Sequence, residues 1–313
     1  MLFRSNDIGM PLTLLRLREH HRYAVIEMGM NHPGEIDYLT RIARPDVALV
    51  TNAHRAHVGL LGSVEAVARA KGEIYAGLSA SGIAVVNADD PFADYWKGLN
   101  AGRRVITFGL GPAADVHASG AARFATPSDA FMVTLRVAGE HNLRNAVAAC
   151  AAAYALDIPS KSIRVGLAAF AGVPGRMQRR RGAGGALVID DTYNANPESM
   201  KAAIAVLAAE PGRRILVMGD MGELGEAASA MHAEVGAFAA SRGIEALLAV
   251  GNESAHAANA FGNAGRHFDS PDALIAAAAA QAAPGVTLLV KGSRFMQMER
   301  VADALADRGA DAA

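Results

Sequence analysis

The sequence predicts an α/β fold made of two open, largely parallel sheets in series. Three observations carry this. Short apolar runs of strand length alternate with longer helical patterns along nearly the whole chain. A glycine-rich, basic segment with one proline, residues 172–185 (GVPGRMQRRRGAGG), interrupts the alternation, which then restarts. The 313 residues also suffice for two cores at roughly 150 residues per domain. The chain is therefore divided into a first domain over 1–174 and a smaller second domain over 175–313.

Taken in order, residues 23–29 (YAVIEMG), 47–53 (VALVTNA), 83–89 (IAVVNAD) and 105–109 (VITFG) read as strands. Helical stretches near 35–43, 64–78 and 92–99 lie between them, which implies a parallel sheet covered on both faces. Residues 115–139 differ. Two runs, 116–124 and 131–137, follow each other without a helix and suggest an antiparallel appendage. Helices at 143–156 and 161–170 close this domain. In the second domain the strands are 187–191, 215–219, 246–251 and 287–291, and the helices lie near 198–210, 228–242, 255–261, 272–282 and 296–305. The alanine run 276–280 reads as plain helix.

Composition narrows the function. With 30 basic and 31 acidic side chains, the net charge of -1 leaves no electrostatic footprint for nucleic acid or an anionic membrane. No apolar stretch approaches the ~20 residues of a membrane span. The single cysteine, Cys150, excludes an internal disulfide and reads as inert packing. No cationic start with an apolar core and cleavage site opens the chain. These features point to a cytoplasmic protein.

In open parallel sheets, ligands collect beyond the carboxyl ends of the strands. Glu27 ends an apolar run there. It is either a carboxylate capping a neighbouring helix or a ligand for a hard cation such as Mg²⁺. His57 is either hydrogen-bonded locally or a metal ligand. Lys71 shares one helical stripe with Val64, Val67, Ala68, Ile74, Tyr75 and Leu78. It either snorkels from the stripe's edge or is buried with a depressed pKa, open to covalent modification or ligand contact. Asn142 is a candidate N-cap, with Asn145 one turn on; amides so placed cap the helix or meet a purine edge. Arg179–Arg181 reads as a solvated charge run or a phosphate contact. Asp190, Asp191, Asn194 and Asn196 follow one strand of the second domain, and Lys291, Ser293 and Arg294 follow another.

Together, residues 6–17 (NDIGMPLTLLRL), 23–36 (YAVIEMGMNHPGEI), 51–74, 139–149 (GEHNLRNAVAA), 175–178 (GRMQ), 190–200 (DDTYNANPESM), 218–225 (MGDMGELG) and 290–299 (VKGSRFMQME) resemble the Mur ligases, in family order. DTYNANP discriminates most, because other branches look like D-Y-A-H-x-P at this point. It is similar to the branch that joins D-alanyl-D-alanine to UDP-N-acetylmuramoyl-tripeptide in peptidoglycan precursor synthesis. The resemblance implies a central ATPase domain followed by a Rossmann-like C-terminal domain, and a monomer. It implies ATP and Mg²⁺ as cofactors, with Glu27 and His57 as metal ligands and Lys71 carbamylated to bring in a second Mg²⁺. Asn142 and Asn145 are then expected near adenine, with Arg176 and Asp190 or Asp191 near ribose and phosphates. Asn194, Asn196, Lys291, Ser293 and Arg294 are expected to line an interdomain cleft where ATP and the dipeptide amine meet. The implied chemistry is attack of the tripeptide carboxylate on the γ-phosphate, then attack of the dipeptide amine on the resulting acyl phosphate.

One feature departs from the family. No G-x-x-x-x-G-K-[ST] occurs in these 313 residues. In the family that phosphate-binding loop, its flanking strand and helix, and a UDP-sugar domain lie upstream of the segment resembling 6–11. The expectation is an N-terminally truncated chain with an incomplete central sheet and little activity alone. Two alternatives stand beside the leading one: another amide ligase of the superfamily, such as a folylpolyglutamate synthase or the ligase adding the third residue, or a non-catalytic nucleotide- or peptide-binding remnant.

Overall fold

A computed structural model describes residues 5–55, 58–120, 123–137 and 139–307. His57 lies outside the described residues. The chain forms two compact units, one comprising 1–136 and 141–170, the other 137–140 and 171–313.

The first unit runs α1 (Gly9–Leu14), α2 (Glu35–Ala43), β1 (Val47–Val50), α3 (Val58–Leu61) and α4 (Val64–Gly72), which tightens into a 3₁₀ turn at Glu73–Gly77. It continues through β2 (Ile83–Asn87), α5 (Ala93–Gly98), β3 (Arg104–Gly109), β4 (Val116–Ser119), β5 (Arg123–Ala125), β6 (Ala130–Met132), α6 (Glu140–Ala155) and α7 (Ser160–Ala169). Strands β1 to β6 pair in sequence order. The first four are parallel, and β5 and β6 are antiparallel. Trp96 and Tyr75 are buried under one face and Phe108 and Phe124 under the other.

Four expectations need correction here. Residues 23–29 form no strand: among the described residues β1 pairs with β2 alone, and without a neighbouring strand there the apolar run stays irregular, with Val25 97% exposed. The appendage holds three short strands, not two runs, and its first extends the parallel sheet. The predicted helix at 64–78 ends in 3₁₀ geometry. Finally, α6 begins at Glu140, directly after Gly139 with its φ of 99°, so Asn142 sits inside the first turn and is not the N-cap.

The second unit runs β7 (Gln178–Arg181), β8 (Leu187–Asp191), α8 (Pro197–Ala208), β9 (Arg213–Gly219), α9 (Ala228–Ser241), β10 (Ala246–Val250), α10 (Ser254–Phe261), β11 (Gly265–Phe268), α11 (Pro271–Ala279), β12 (Val286–Lys291) and α12 (Glu299–Leu305). Its strand order is β11-β10-β9-β12-β8-β7, parallel except for β7. Two apolar cores fill its faces. Arg179–Arg181 is not a free charge run: it forms edge strand β7, where Arg179 pairs with Glu210 and Arg180 with Asp190 and Asp303. Strand β11 was not expected, because half of its four residues, GRHF, are basic and exposed. Among the described residues, no helix is long and apolar enough to cross a membrane.

Candidate active site

In the first unit, three side chains converge on the loop after β1. The carboxylate of Asp90, 6% exposed, accepts hydrogen bonds from the Ala53 amide at 2.8 Å and the Phe92 amide at 2.9 Å. Asn87 donates to the Thr51 carbonyl at 2.7 Å. Lys71 donates from Nζ to the Asn52 carbonyl, also at 2.7 Å. The helix that delivers Lys71 is started by Ser63, whose hydroxyl accepts from the Ala66 amide, and is bedded by Val67 and Ala68. Burial pushes the Lys71 amine below its ordinary pKa, and the charge of Asp90 opposes that shift. The lysine therefore does not simply snorkel to water; its tip is half-buried against a backbone carbonyl.

Glu27 lies on the irregular segment, exposed, and its side chain makes no hydrogen bond or ion pair with the described residues. Asn142 is half-buried and Asn145 exposed, both in the first turns of α6. In the same helix Arg144 pairs with Asp89, which also accepts from the Leu110 amide. Burial pushes the Cys150 thiol up to about 12, consistent with inert packing. Among the described residues, no three His, Cys, Asp or Glu side chains converge as a metal site would require.

The second unit joins three of the sequence motifs. Strand β12 inserts between β8 and β9 with Lys291 in register with Asp191, so the loops after β8, β9 and β12 emerge together at the point where strand order reverses. Lys291 is 3% exposed. Its Nζ lies 2.5 Å from Asp191 Oδ2 and 2.8 Å from the Asn194 carbonyl. The other Asp191 oxygen accepts from the Met177 amide, and the Tyr193 amide donates to the Gly175 carbonyl. The Gly175 φ of 71° suits glycine, and a Cβ there would stand 3.3 Å from Thr192 Oγ1. Asp190 accepts from Thr192 Oγ1 and from Arg180. Burial lowers the Lys291 pKa, Asp191 opposes the shift, and Arg176 adds to it.

Asn196 spends its side chain on a capping box with Ser199 at the start of α8. Asn194 is exposed, its oxygen accepting from the Ala195 amide. Arg176 is exposed and stacks 4.1 Å from the Tyr193 ring centroid. Ser293 is buried, and Arg294 is held by Glu299 at 2.9 Å. Gly175, Arg180, Asp190, Thr192, Tyr193 and Arg294 border an open cavity of about 530 Å³. Sequence reasoning had assigned no role to Asp90 or Tyr193. Asp90 carried a signal, the turn-forming Asp-Pro pair beyond a strand; the Tyr193–Arg176 stack joins residues distant in sequence and carried none.

Comparison with known proteins places this geometry among relatives. Residues 4–153 match the family described as Mur ligase middle domain, and residues 175–294 match Mur ligase, glutamate ligase domain. The UDP-N-acetylmuramoyl-tripeptide--D-alanyl-D-alanine ligase of Escherichia coli is 42% identical over 316 residues, covering 97% of this chain and 70% of that protein. A crystal structure of MurF from Acinetobacter baumannii superposes with a TM-score of 0.89 at 36% identity, covering 96% of this chain and 68% of that one. MurF ligase from Thermotoga maritima in complex with ADP gives 0.83 at 28% identity, covering 95% of this chain and 70% of that one.

Proposed function

This chain belongs to the Mur ligase family, and we propose that it carries the middle and C-terminal parts of the ATP-dependent ligase that joins D-alanyl-D-alanine to UDP-N-acetylmuramoyl-tripeptide, acting in the cytoplasm. The observation that carries the reading is the interlocked loop edge of the second unit. There the DTYNANP segment is tied by Lys291 and Ser293 to the segment after β12 and by Asp191 to the one containing Arg176. The same motif distinguishes this branch from ligases with D-Y-A-H-x-P.

In this reading Arg176, supported by the Tyr193 ring, and Asp190 or Asp191 serve the ribose and phosphates, while Asn142 and Asn145 serve adenine. Lys291 is a tether: its ammonium is engaged twice and holds Asn194 in place for the incoming dipeptide. Asn196 acts through the start of α8, and Ser293 and Arg294 complete the edge.

Glu27 and His57 are assigned to Mg²⁺. The exposed Glu27 carboxylate, which has no partner among the described residues, fits an ion that takes one or two protein carboxylates beside phosphate oxygens. When bound, the metal would offset charge on the transferring phosphoryl oxygens. Lys71 suits carbamylation, since burial favours the neutral amine that adds to carbon dioxide. In this reading the tripeptide carboxylate attacks the γ-phosphorus and expels ADP, giving an acyl phosphate; the dipeptide amine then attacks the acyl carbon, loses a proton and expels phosphate.

The 313 residues contain no G-x-x-x-x-G-K-[ST], and they span about 70% of the length of the Escherichia coli relative. The test is a hybrid in which this chain is joined to the part of the Escherichia coli relative that it does not match. Phosphate release from ATP should require both UDP-tripeptide and D-alanyl-D-alanine. Release at the same rate with the dipeptide omitted would refute the reading.

A further inference from the structure

His232, on α9, is fully buried, and both ring nitrogens are committed. Nδ1 lies 2.7 Å from the Ala228 carbonyl, which can only accept. Nε2 lies 2.8 Å from the Met221 amide, which can only donate. The two contacts together require the neutral ring with its proton on Nδ1. Met221 belongs to the MGDMGELG segment after β9, a motif the proposed mechanism leaves without a role.

That segment is the hub of the loop edge. The Gly222 amide donates to Ser293 Oγ at 2.7 Å, and the same hydroxyl donates to the Ala195 carbonyl at 3.0 Å. The Ser293 amide donates to the Asp220 carbonyl at 2.9 Å. The Asp220 carboxylate accepts from the Ser254 amide at 2.7 Å, which ties in the start of α10. A Cβ on Gly222 would stand 2.9 Å from the Phe295 ring, so the turn sits close against the loop after β12. The turn thus bonds directly to the loop after β12 and to the start of α10, reaches Ala195 after β8 through the Ser293 hydroxyl, and rests its inner side on the imidazole.

We propose that His232 is a positioning residue: its neutral ring holds the Met221 amide and thereby, through Gly222 and Ser293, fixes the 291–294 loop against Ala195. The relevance to ligation rests on the function proposed above; the latch itself does not. The charged or titratable groups around the ring are Asp220 after β9, and Glu253 and His256 at the start of α10. Glu253 also accepts from Ser229, and Lys201 of α8 pairs with Glu234 on α9.

The test uses the full chain, isotope-labelled, with amide hydrogen exchange and imidazole nitrogen shifts as readouts. Gln can place a carboxamide oxygen near the Nε2 position and keep an acceptor for Met221, whereas Leu fills the space without one. His232→Leu should speed exchange at Met221, Gly222 and Ser293 roughly tenfold, the cost of one hydrogen bond. His232→Gln should leave them within about twofold of the parent, and Leu248 in β10 should exchange alike in all three. The parent imidazole should show the Nδ1–H tautomer. Unchanged exchange at Gly222 and Ser293 in His232→Leu, or acceleration in His232→Gln equal to that in His232→Leu, overturns the proposal. If His232→Leu does not fold, the parent tautomer and the Gln variant decide, and an Nε2–H tautomer refutes the latch. No readout needs turnover, so a failed ligation assay on the hybrid would remove the functional reading alone.

Discussion

The ammonium of Lys291 stands 2.5 Å from the carboxylate of Asp191, and the same nitrogen donates to the Asn194 carbonyl at 2.8 Å. The end of β12 therefore holds both the end of β8 and the loop beyond it. Both side chains of the pair are largely withdrawn from water, 4% and 13% exposed. In such a pair the favourable term is mutual compensation, and the loss of one partner strands the other.

Lys291→Met should therefore destabilise the second unit by about 3–5 kcal/mol. Lys291→Met combined with Asp191→Leu should recover more than half of the loss. Urea unfolding followed by circular dichroism reads both. A single variant as stable as the parent would show that Asp191 finds water or another donor.

Asp90 holds two backbone amides in the first unit. Asp90→Ala should cost about 1–3 kcal/mol for each amide left without an acceptor. Asp90→Asn keeps one carbonyl oxygen and should cost less. Trp96, the single tryptophan and fully buried in the first unit, makes its fluorescence a reporter of that unit alone.

Lys71 should form a carbamate. With ¹³C-labelled bicarbonate at alkaline pH, a carbamate carbon resonance is expected in the parent and absent in Lys71→Ala. Equal signals in both would assign the modification elsewhere and remove Lys71 from the proposed metal site.

The pH dependence of stability follows from His232. Burial, with His256 adding to it, holds its pKa below the ordinary 6.5, and the Ala228 carbonyl, Asp220 and Glu253 oppose the shift. Below about 6.5 the unfolded chain takes up this proton before the folded one does. The contribution is thus complete above 6.5 and is lost as pH falls, by at most about 1.4 kcal/mol per pH unit. His232→Gln should flatten the curve between pH 7 and 5, measured by urea unfolding at each pH.

Much of this was legible in the sequence because periodicity and strand-end chemistry are local signals. Residues 187–191 read as a strand, and the paired loops at 190–197 and 291–294 follow from parallel topology alone. Residues 23–29 misled because an apolar run shows only that a strand could form; pairing needs a neighbour, and among the described residues β1 is bonded to β2 alone. Arg179–Arg181 misled in the opposite sense, since its charges are matched by Glu210 and Asp303, both distant in sequence, and by Asp190 on the paired strand β8. The role of His232 was hidden for the same reason: a histidine in an alanine-rich helix declares nothing until Met221 is seen beside it.

The most direct test of the central claim is the product made by the hybrid with the Escherichia coli relative. Given ATP, Mg²⁺ and UDP-tripeptide, it should be offered D-alanyl-D-alanine, glutamate and diaminopimelate separately, with the products weighed by mass spectrometry. The account predicts a mass gain of one dipeptide with D-alanyl-D-alanine, no gain with either single amino acid, and loss of product in Lys71→Ala. A folded hybrid that binds UDP-tripeptide yet adds a single amino acid, or adds nothing, would contradict it.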